Sequence, residues 1–140
     1  MPSDQPPAKL SLILFTGDYE RVHYGLALAS SALAIGRPVT LFFTMGGIRS
    51  LIRGDEDGVA GWRSLPGSER DDDFAAEGLA TFEELLGACV SLGATMLVCE
   101  MGLKAEGLAT GDLREDVKVV SGGIVTFLND ARADGAMLMI

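Results

Sequence analysis

The chain has 140 residues, 48% hydrophobic and 22% charged, a balance typical of one folded domain with a single core. A net charge of −9, with lysine and arginine nowhere clustered, argues against a nucleic acid or an anionic membrane surface as partner. Residues 1–8 are polar and proline-rich, unlike a signal peptide, so we expect a disordered lead-in and a cytoplasmic protein.

The first half of the chain alternates strand and helix patterns. Residues 10–15 and 39–43 are short, continuous apolar runs, as expected for strands buried on both faces. Residues 19–35 between them are helix-like, and Gly36 ends the pattern. Gly46 and Gly47 follow the second strand and open a short helical pattern.

The character of the sequence changes over residues 54–73. This stretch is rich in acids, glycine and proline, with few apolar residues besides Trp62 and Leu65. It predicts an acidic surface loop of unusual length within a domain that covers residues 9–140. Such a loop is either a lid or subunit contact, or a disordered insertion.

The second half continues the alternation. Leucine, phenylalanine and cysteine recur at helical spacing before Gly93, and short apolar runs follow. We predict helices at 77–92, 101–108 and 121–133, and strands at 94–99, 117–120 and 136–140. The whole pattern predicts a single-domain three-layer α/β/α sandwich with a mostly parallel five-stranded sheet.

Ligands of open α/β sheets bind beyond the carboxyl ends of the strands, and three features of the sequence are predicted to lie there. Cys99 ends the third strand, Gly46 and Gly47 follow the second, and Ser121, Gly122 and Gly123 follow the fourth. If these loops converge, a thiol faces two turns whose backbone N–H groups could bind an anion.

The role of Cys99 is open on the residues alone. A helix that starts at this point would stabilise a thiolate, whereas the adjacent carboxylate of Glu100 would oppose it. A cysteine that ends an apolar strand is also an ordinary core residue. Cys89, on the apolar face of its helix, is predicted to be a core residue.

Other site chemistries find little support. One histidine and two cysteines without a C-x-x-C spacing argue against a metal site. Asp18, His23 and Cys99 could form an Asp/His/Cys catalytic set, but their spacing does not require one. A lone helical histidine is usually a surface residue. A nucleotide-binding, flavodoxin-like domain is a weaker alternative because Asp18 and Glu20 stand where phosphate would bind.

Two longer stretches together resemble the DsrE/DsrF-like family. "LVCEMGLKAEGL" and "VKVVSGGIVTFLNDA" are similar to the family's second half, in which a strand ending in A-C-x-M precedes a short helix. "FTGDYERVHYGLALASSALAIGRPVTLFFTMGGIRSL" is similar to its first half. The acidic stretch 54–73 departs from the family pattern, as does the strongly apolar approach to Cys99.

This resemblance implies a sulfur-relay protein in which Cys99 carries sulfur as a persulfide between donor and acceptor proteins. It also implies a homo-oligomer, a trimer or hexamer, without a metal or organic cofactor. The Gly46–Gly47 and Ser121–Gly122–Gly123 turns would then stabilise the sulfur anion. The alternative is an oligomeric binding or scaffold subunit with an inert Cys99 and a small-ligand pocket at the carboxyl end of the sheet.

Overall fold

The computed structural model describes residues 8–140, so nearly all of the predicted lead-in lies outside the described residues. Its centre is a five-stranded, fully parallel sheet in the order β4-β3-β2-β1-β5. The predicted α/β architecture is confirmed. The strands are β1 (Leu10–Leu14), β2 (Val39–Phe43), β3 (Thr95–Cys99), β4 (Val120–Gly122) and β5 (Ala136–Met139).

Helices α1 (Tyr19–Ala34) and α3 (Phe82–Ser91) pack together on one face of the sheet. The carboxylate of Asp18 caps α1 by accepting the N–H of Arg21. α3 begins with a reciprocal capping box between Thr81 and Glu84. Because α1 follows β1 and α3 precedes the parallel strand β3, both helices start near the carboxyl ends of the strands. Their apolar sides are buried in the main core.

The opposite face of the sheet is covered, within residues 8–140, mainly by the short helix α5 (Ile124–Asp130). Phe127 is the only buried residue of this helix. Its ring stacks on Phe42 of β2, with centroids 4.7 Å apart, and joins a small cluster with Leu97 and Cys99. This cluster is the second, smaller core of the protein.

Residues 54–73 are more ordered than the predicted surface loop. Gly61–Ser64 form a 3₁₀ turn, and helix α2 (Arg70–Ala76) begins before the stretch ends. Trp62 is buried and stacks on Phe82, 4.8 Å between ring centroids. The acidic residues at the start of the stretch are exposed, but its later part packs on the core because its few apolar residues are aromatic or large.

The other differences from prediction concern element ends. The predicted helix 77–92 starts later in the structure, because α2 ends at Ala76, Gly78 adopts φ +76° and the capping box starts α3 at Phe82. β4 is displaced from the predicted 117–120 to Val120–Gly122, since Gly122 pairs with Cys99, and the predicted helix 121–133 is shortened to Ile124–Asp130. The short helix after β3 is α4 (Glu100–Ala105).

Candidate functional site

One apolar cavity of about 210 Å³ lies at the carboxyl ends of β1, β2 and β5, and α4 and α5 complete its wall. Its lining is almost wholly hydrocarbon, thioether and aromatic, with Thr44 the only polar side chain. The position agrees with the expectation for open α/β sheets. The lining residues are Ile13, Phe15, Phe42, Thr44, Met45, Met101, Ile124, Phe127, Leu128 and Met139.

Cys99 lies at this end of the sheet, but its side chain is fully buried, with 0% exposure. Its Sγ accepts the backbone N–H of Gly102 at 3.4 Å, which places the sulfur at the start of α4. The thiol does not line the cavity. Phe42 and Phe127, however, belong both to the cluster around Cys99 and to the cavity wall, so these two rings connect the thiol with the cavity.

Gly46 and Gly47 are required for close packing. A Cβ on Gly47 would stand 1.9 Å from the carbonyl oxygen of Leu14, and one on Gly46 would stand 2.8 Å from the nitrogen of Gly17. The N–H of Gly47 is already donated to the carbonyl of Phe15 at 3.1 Å. These glycines therefore let the β1 and β2 loops touch, and the Gly47 N–H is committed within the backbone.

Ser121, Gly122 and Gly123 form the end of β4 and the start of α5. Ser121 is exposed, whereas Gly122 is buried beside Cys99 in the parallel register. A Cβ on Gly122 would approach the side chain of Thr126 to 3.1 Å, so the absence of a side chain allows α5 to pack against β4. Of the three predicted turn residues, Ser121 and Gly122 both pair with β3, and Gly122 lies directly beside Cys99.

Cys89 lies in the main core, on the other face of the sheet from Cys99. It is fully buried, its thiol donates to the carbonyl of Leu26 at 3.6 Å, and burial raises its pKa to about 11. His23 binds the carbonyl of Ala80 through Nε2 at 2.9 Å. Asp18 is a helix cap, so each of these groups has a structural partner away from Cys99.

Residues 9–133 match the model of the DsrE/DsrF-like family, which covers nearly the whole chain. The chain belongs to the DsrE/DsrF-like family. The resemblance carried by the cysteine-containing stretch is therefore confirmed. A comparison with curated proteins found no match.

Two solved structures share the fold of this DsrE/DsrF-like chain. One is a protein of unknown function, MTH1491, from Methanobacterium thermoautotrophicum, with 18% identity, a TM-score of 0.60 and coverage of 95% of this chain and 99% of the other. The second is the ychN protein from E. coli, with 14% identity, a TM-score of 0.55 and coverage of 94% and 99%. At these identities the likeness establishes the fold alone.

A charged cluster that the sequence did not reveal lies at one side of the DsrE/DsrF-like domain. Arg114 donates two hydrogen bonds to Glu83, both at 2.8 Å, and two to Asp116, both at 2.7 Å. Trp62 Nε1 also donates to Glu83, at 2.7 Å. The cluster lines an open groove of about 550 Å³, and its one cation, Arg114, is already paired with both carboxylates. Glu83 and Trp62 are too far from Arg114 in sequence for spacing to reveal the cluster.

Replacing Arg114 with methionine is expected to lower the free energy of unfolding at neutral pH by roughly 1 kcal/mol, because Glu83 and Asp116 are about half exposed or more. Hydrogen bonds from Arg114 hold the pKa of Glu83 below its usual value against the opposing effect of burial, and they also lower the pKa of Asp116. The stabilisation is thus complete above the unfolded carboxyl pKa and is lost as pH falls through the lower folded value.

Urea unfolding at a series of pH values, followed by Trp62 fluorescence, measures this difference. Arg53→Met is the matched control, since Arg53 is exposed and makes no ion pair within residues 8–140. A deficit for Arg114→Met that persists undiminished at the lowest pH would contradict the electrostatic explanation.

The DsrE/DsrF-like chain contains no helix, within its described residues, that is both long and apolar enough to cross a membrane. The same part of the chain holds no group of three or more histidine, cysteine or acidic side chains placed to bind a metal.

Proposed function

We propose that this protein is a cytoplasmic sulfur carrier that holds sulfur as a persulfide on Cys99. The observation that supports the proposal is the position of Cys99: it ends β3 at the carboxyl end of the sheet, in the stretch that carries the family resemblance. Cys89 is a poor alternative because its raised pKa leaves little thiolate at neutral pH.

The proposed step is exchange at sulfur. The Cys99 thiolate attacks the outer sulfur of a donor persulfide, R–S–SH, forming Cys99–S–SH as the donor's S–S bond breaks and R–S⁻ leaves. An acceptor thiolate then attacks the outer sulfur and restores Cys99. No net oxidation occurs, so neither a metal nor an organic cofactor takes part.

The backbone and the cavity each have a role in this scheme. The N–H of Gly102, already directed at Cys99 Sγ, stabilises negative charge on the sulfur. The adjoining cavity is apolar, which suits an uncharged sulfane sulfur better than an anionic ligand. Since Cys99 is fully buried, the transfer requires its cover to move.

We include self-association in the proposal. Edge strand β5 exposes all four of its residues, including Met137, Leu138 and Met139, and Tyr24 is exposed as well. An exposed apolar sheet edge is a site for association with another chain. A homo-oligomer, such as a trimer or hexamer, would bury this surface, and donor and acceptor proteins would approach elsewhere.

The test is the intact mass of the folded protein after incubation with glutathione persulfide, beside Cys99→Ser and Cys89→Ser variants. The wild type and Cys89→Ser are expected to gain about 32 Da, one sulfur atom, and Cys99→Ser none. Reduction with dithiothreitol should remove the added mass. No gain on the wild type, or an equal gain on Cys99→Ser, would contradict the proposal.

The burial of Cys99 supports a second candidate, a binding or scaffold subunit in which this thiol is an inert core residue. Its ligand site would be the cavity that Cys99 does not line, and the lining favours a small apolar molecule. This candidate predicts that neither cysteine gains sulfur or reacts with a thiol reagent until the protein is denatured.

A further inference from the structure

Helix α5 packs on the cluster that contains Cys99 and has few buried contacts of its own. It has seven residues, too few for an isolated helix to be stable, and it buries only Phe127. Ile124, Val125 and Leu128 are each about half exposed or more. The position of this helix therefore depends on the stacking of Phe127 on Phe42 and on the contacts at the two ends of the helix.

The N-terminal end of α5 follows directly from β4, and a polar cluster fixes the C-terminal end. Asp130 Oδ2 accepts from Lys9 Nζ and from Thr40 Oγ1, both at 2.5 Å. Lys9 Nζ also donates to the backbone carbonyl of Asp130, at 3.0 Å. Lys9 is 9% exposed and Thr40 is fully buried, so both partners are largely removed from water.

This cluster and Cys99 lie at opposite ends of the sheet. Lys9 precedes β1 and Thr40 is near the start of β2, whereas Cys99 ends β3. α5 spans the distance between them and places Phe127 against Phe42 on the way. A change at Asp130 can therefore act on Cys99 through the position of α5.

The following strand, β5, is attached through backbone hydrogen bonds and not through the side chains of this cluster. Ala136 N–H donates to the carbonyl of Lys9 at 2.8 Å, and Ile140 N–H donates to that of Ile13 at 2.8 Å. These bonds belong to the pairing of β5 with β1. α5 can consequently move off the sheet while β5 stays paired.

From this arrangement we infer that Lys9, Thr40 and Asp130 form a latch that sets how often α5 uncovers Cys99. The inference rests on the proposed function, for which it supplies the route to the buried thiol. With the latch closed, Phe127 covers the thiol. Loss of the Asp130 carboxylate leaves the Lys9 ammonium buried without its partner, which disfavours the closed position of α5.

Two thiols on opposite faces of the sheet make the test internally controlled. Cys99 lies under α5, and Cys89 lies between α1 and α3 in the main core. Movement of α5 exposes Cys99 alone, whereas global unfolding exposes both. The measurement is the rate of iodoacetamide labelling at each cysteine under native conditions, resolved by peptide mass.

Asp130→Asn is expected to raise the Cys99 labelling rate about tenfold to a hundredfold with the Cys89 rate unchanged. Phe127→Ala, which removes the cover itself, should produce a rise of similar or greater size at the same cysteine. The matched control is Asp134→Asn, an exposed acid of the next turn, which should leave both rates at the wild-type value.

Equal rises at Cys99 and Cys89 in Asp130→Asn would overturn the inference by showing a global loss of stability. An unchanged Cys99 rate in Asp130→Asn would overturn it as well. Failure of the proposed function looks different: Asp130→Asn would label rapidly at Cys99 and still gain no sulfur from a persulfide. That outcome would support the latch and contradict the proposal that Cys99 carries sulfur.

Discussion

Replacing Gly47 with alanine is expected to cost roughly 3–5 kcal/mol of unfolding free energy, enough to unfold much of a marginally stable domain. The added Cβ would stand 1.9 Å from the carbonyl oxygen of Leu14, a backbone atom that cannot rotate away. That oxygen also accepts the N–H of Thr44 at 3.0 Å, so relief of the clash separates β1 from the end of β2. Urea unfolding monitored by circular dichroism measures the loss.

The same substitution at Gly87 is the control and should raise the free energy of unfolding. Gly87 is exposed within α3, and a Cβ there meets nothing within 4 Å. Alanine should stabilise the helix by about 0.5–1 kcal/mol, because it restricts the unfolded chain more than glycine does. A Gly47→Ala protein as stable as the wild type would show that the two loops can separate freely.

The sequence was sufficient to predict the alternation of strands and helices because each buried parallel strand is a continuous apolar run. Ends of elements were harder to predict. The hydrophobic spacing continues from Leu79 into α3 and hides the break, although Gly78, which adopts a left-handed conformation, and the Thr81–Glu84 capping box are local signals of it. Burial of Trp62 also depends on partners distant in sequence, Tyr19 and Phe82.

The candidate site was predictable in position and not in accessibility. Parallel topology alone places the end of β3 beside the loops after β2 and β4, so Cys99 could be selected from the sequence. Its complete burial depends on Phe42 and Phe127, which approach from other elements. The sequence predicts an anion cradle at Gly46 and Gly47, whereas close backbone contacts give these glycines a packing role that no local pattern reveals.

The burial of Cys99 is compatible with sulfur transfer when solvent and partner thiols reach the sulfur only intermittently. A persulfide exposed to solvent would react with any available thiol, whereas one held under α5 reacts only when the cover moves. Because α5 is attached mainly through Phe127 and the Asp130 latch, its movement should cost less free energy than unfolding of the main core.

The second large effect is expected at Asp71, which fixes residues 54–73 to the core. Asp71 is 4% exposed; its Oδ1 accepts from the hydroxyl of Tyr19 and, at 2.7 Å, from the N–H of Phe82. Burial and the bond to Asp71 raise the pKa of Tyr19, so the hydroxyl remains a donor. Asp71→Ala leaves two buried donors unpaired and should cost about 3–5 kcal/mol.

The neighbouring acid supplies the control, because Asp72 is exposed and pairs with Arg63 only at the surface, at 3.3 Å. Asp72→Ala should cost less than about 1 kcal/mol. Trp62, the only tryptophan, reports on the attached stretch, and circular dichroism reports on the whole domain. In Asp71→Ala the Trp62 transition should precede the circular-dichroism transition in urea, since this stretch detaches first. Coincident transitions with an unchanged midpoint would show that aromatic packing alone holds it.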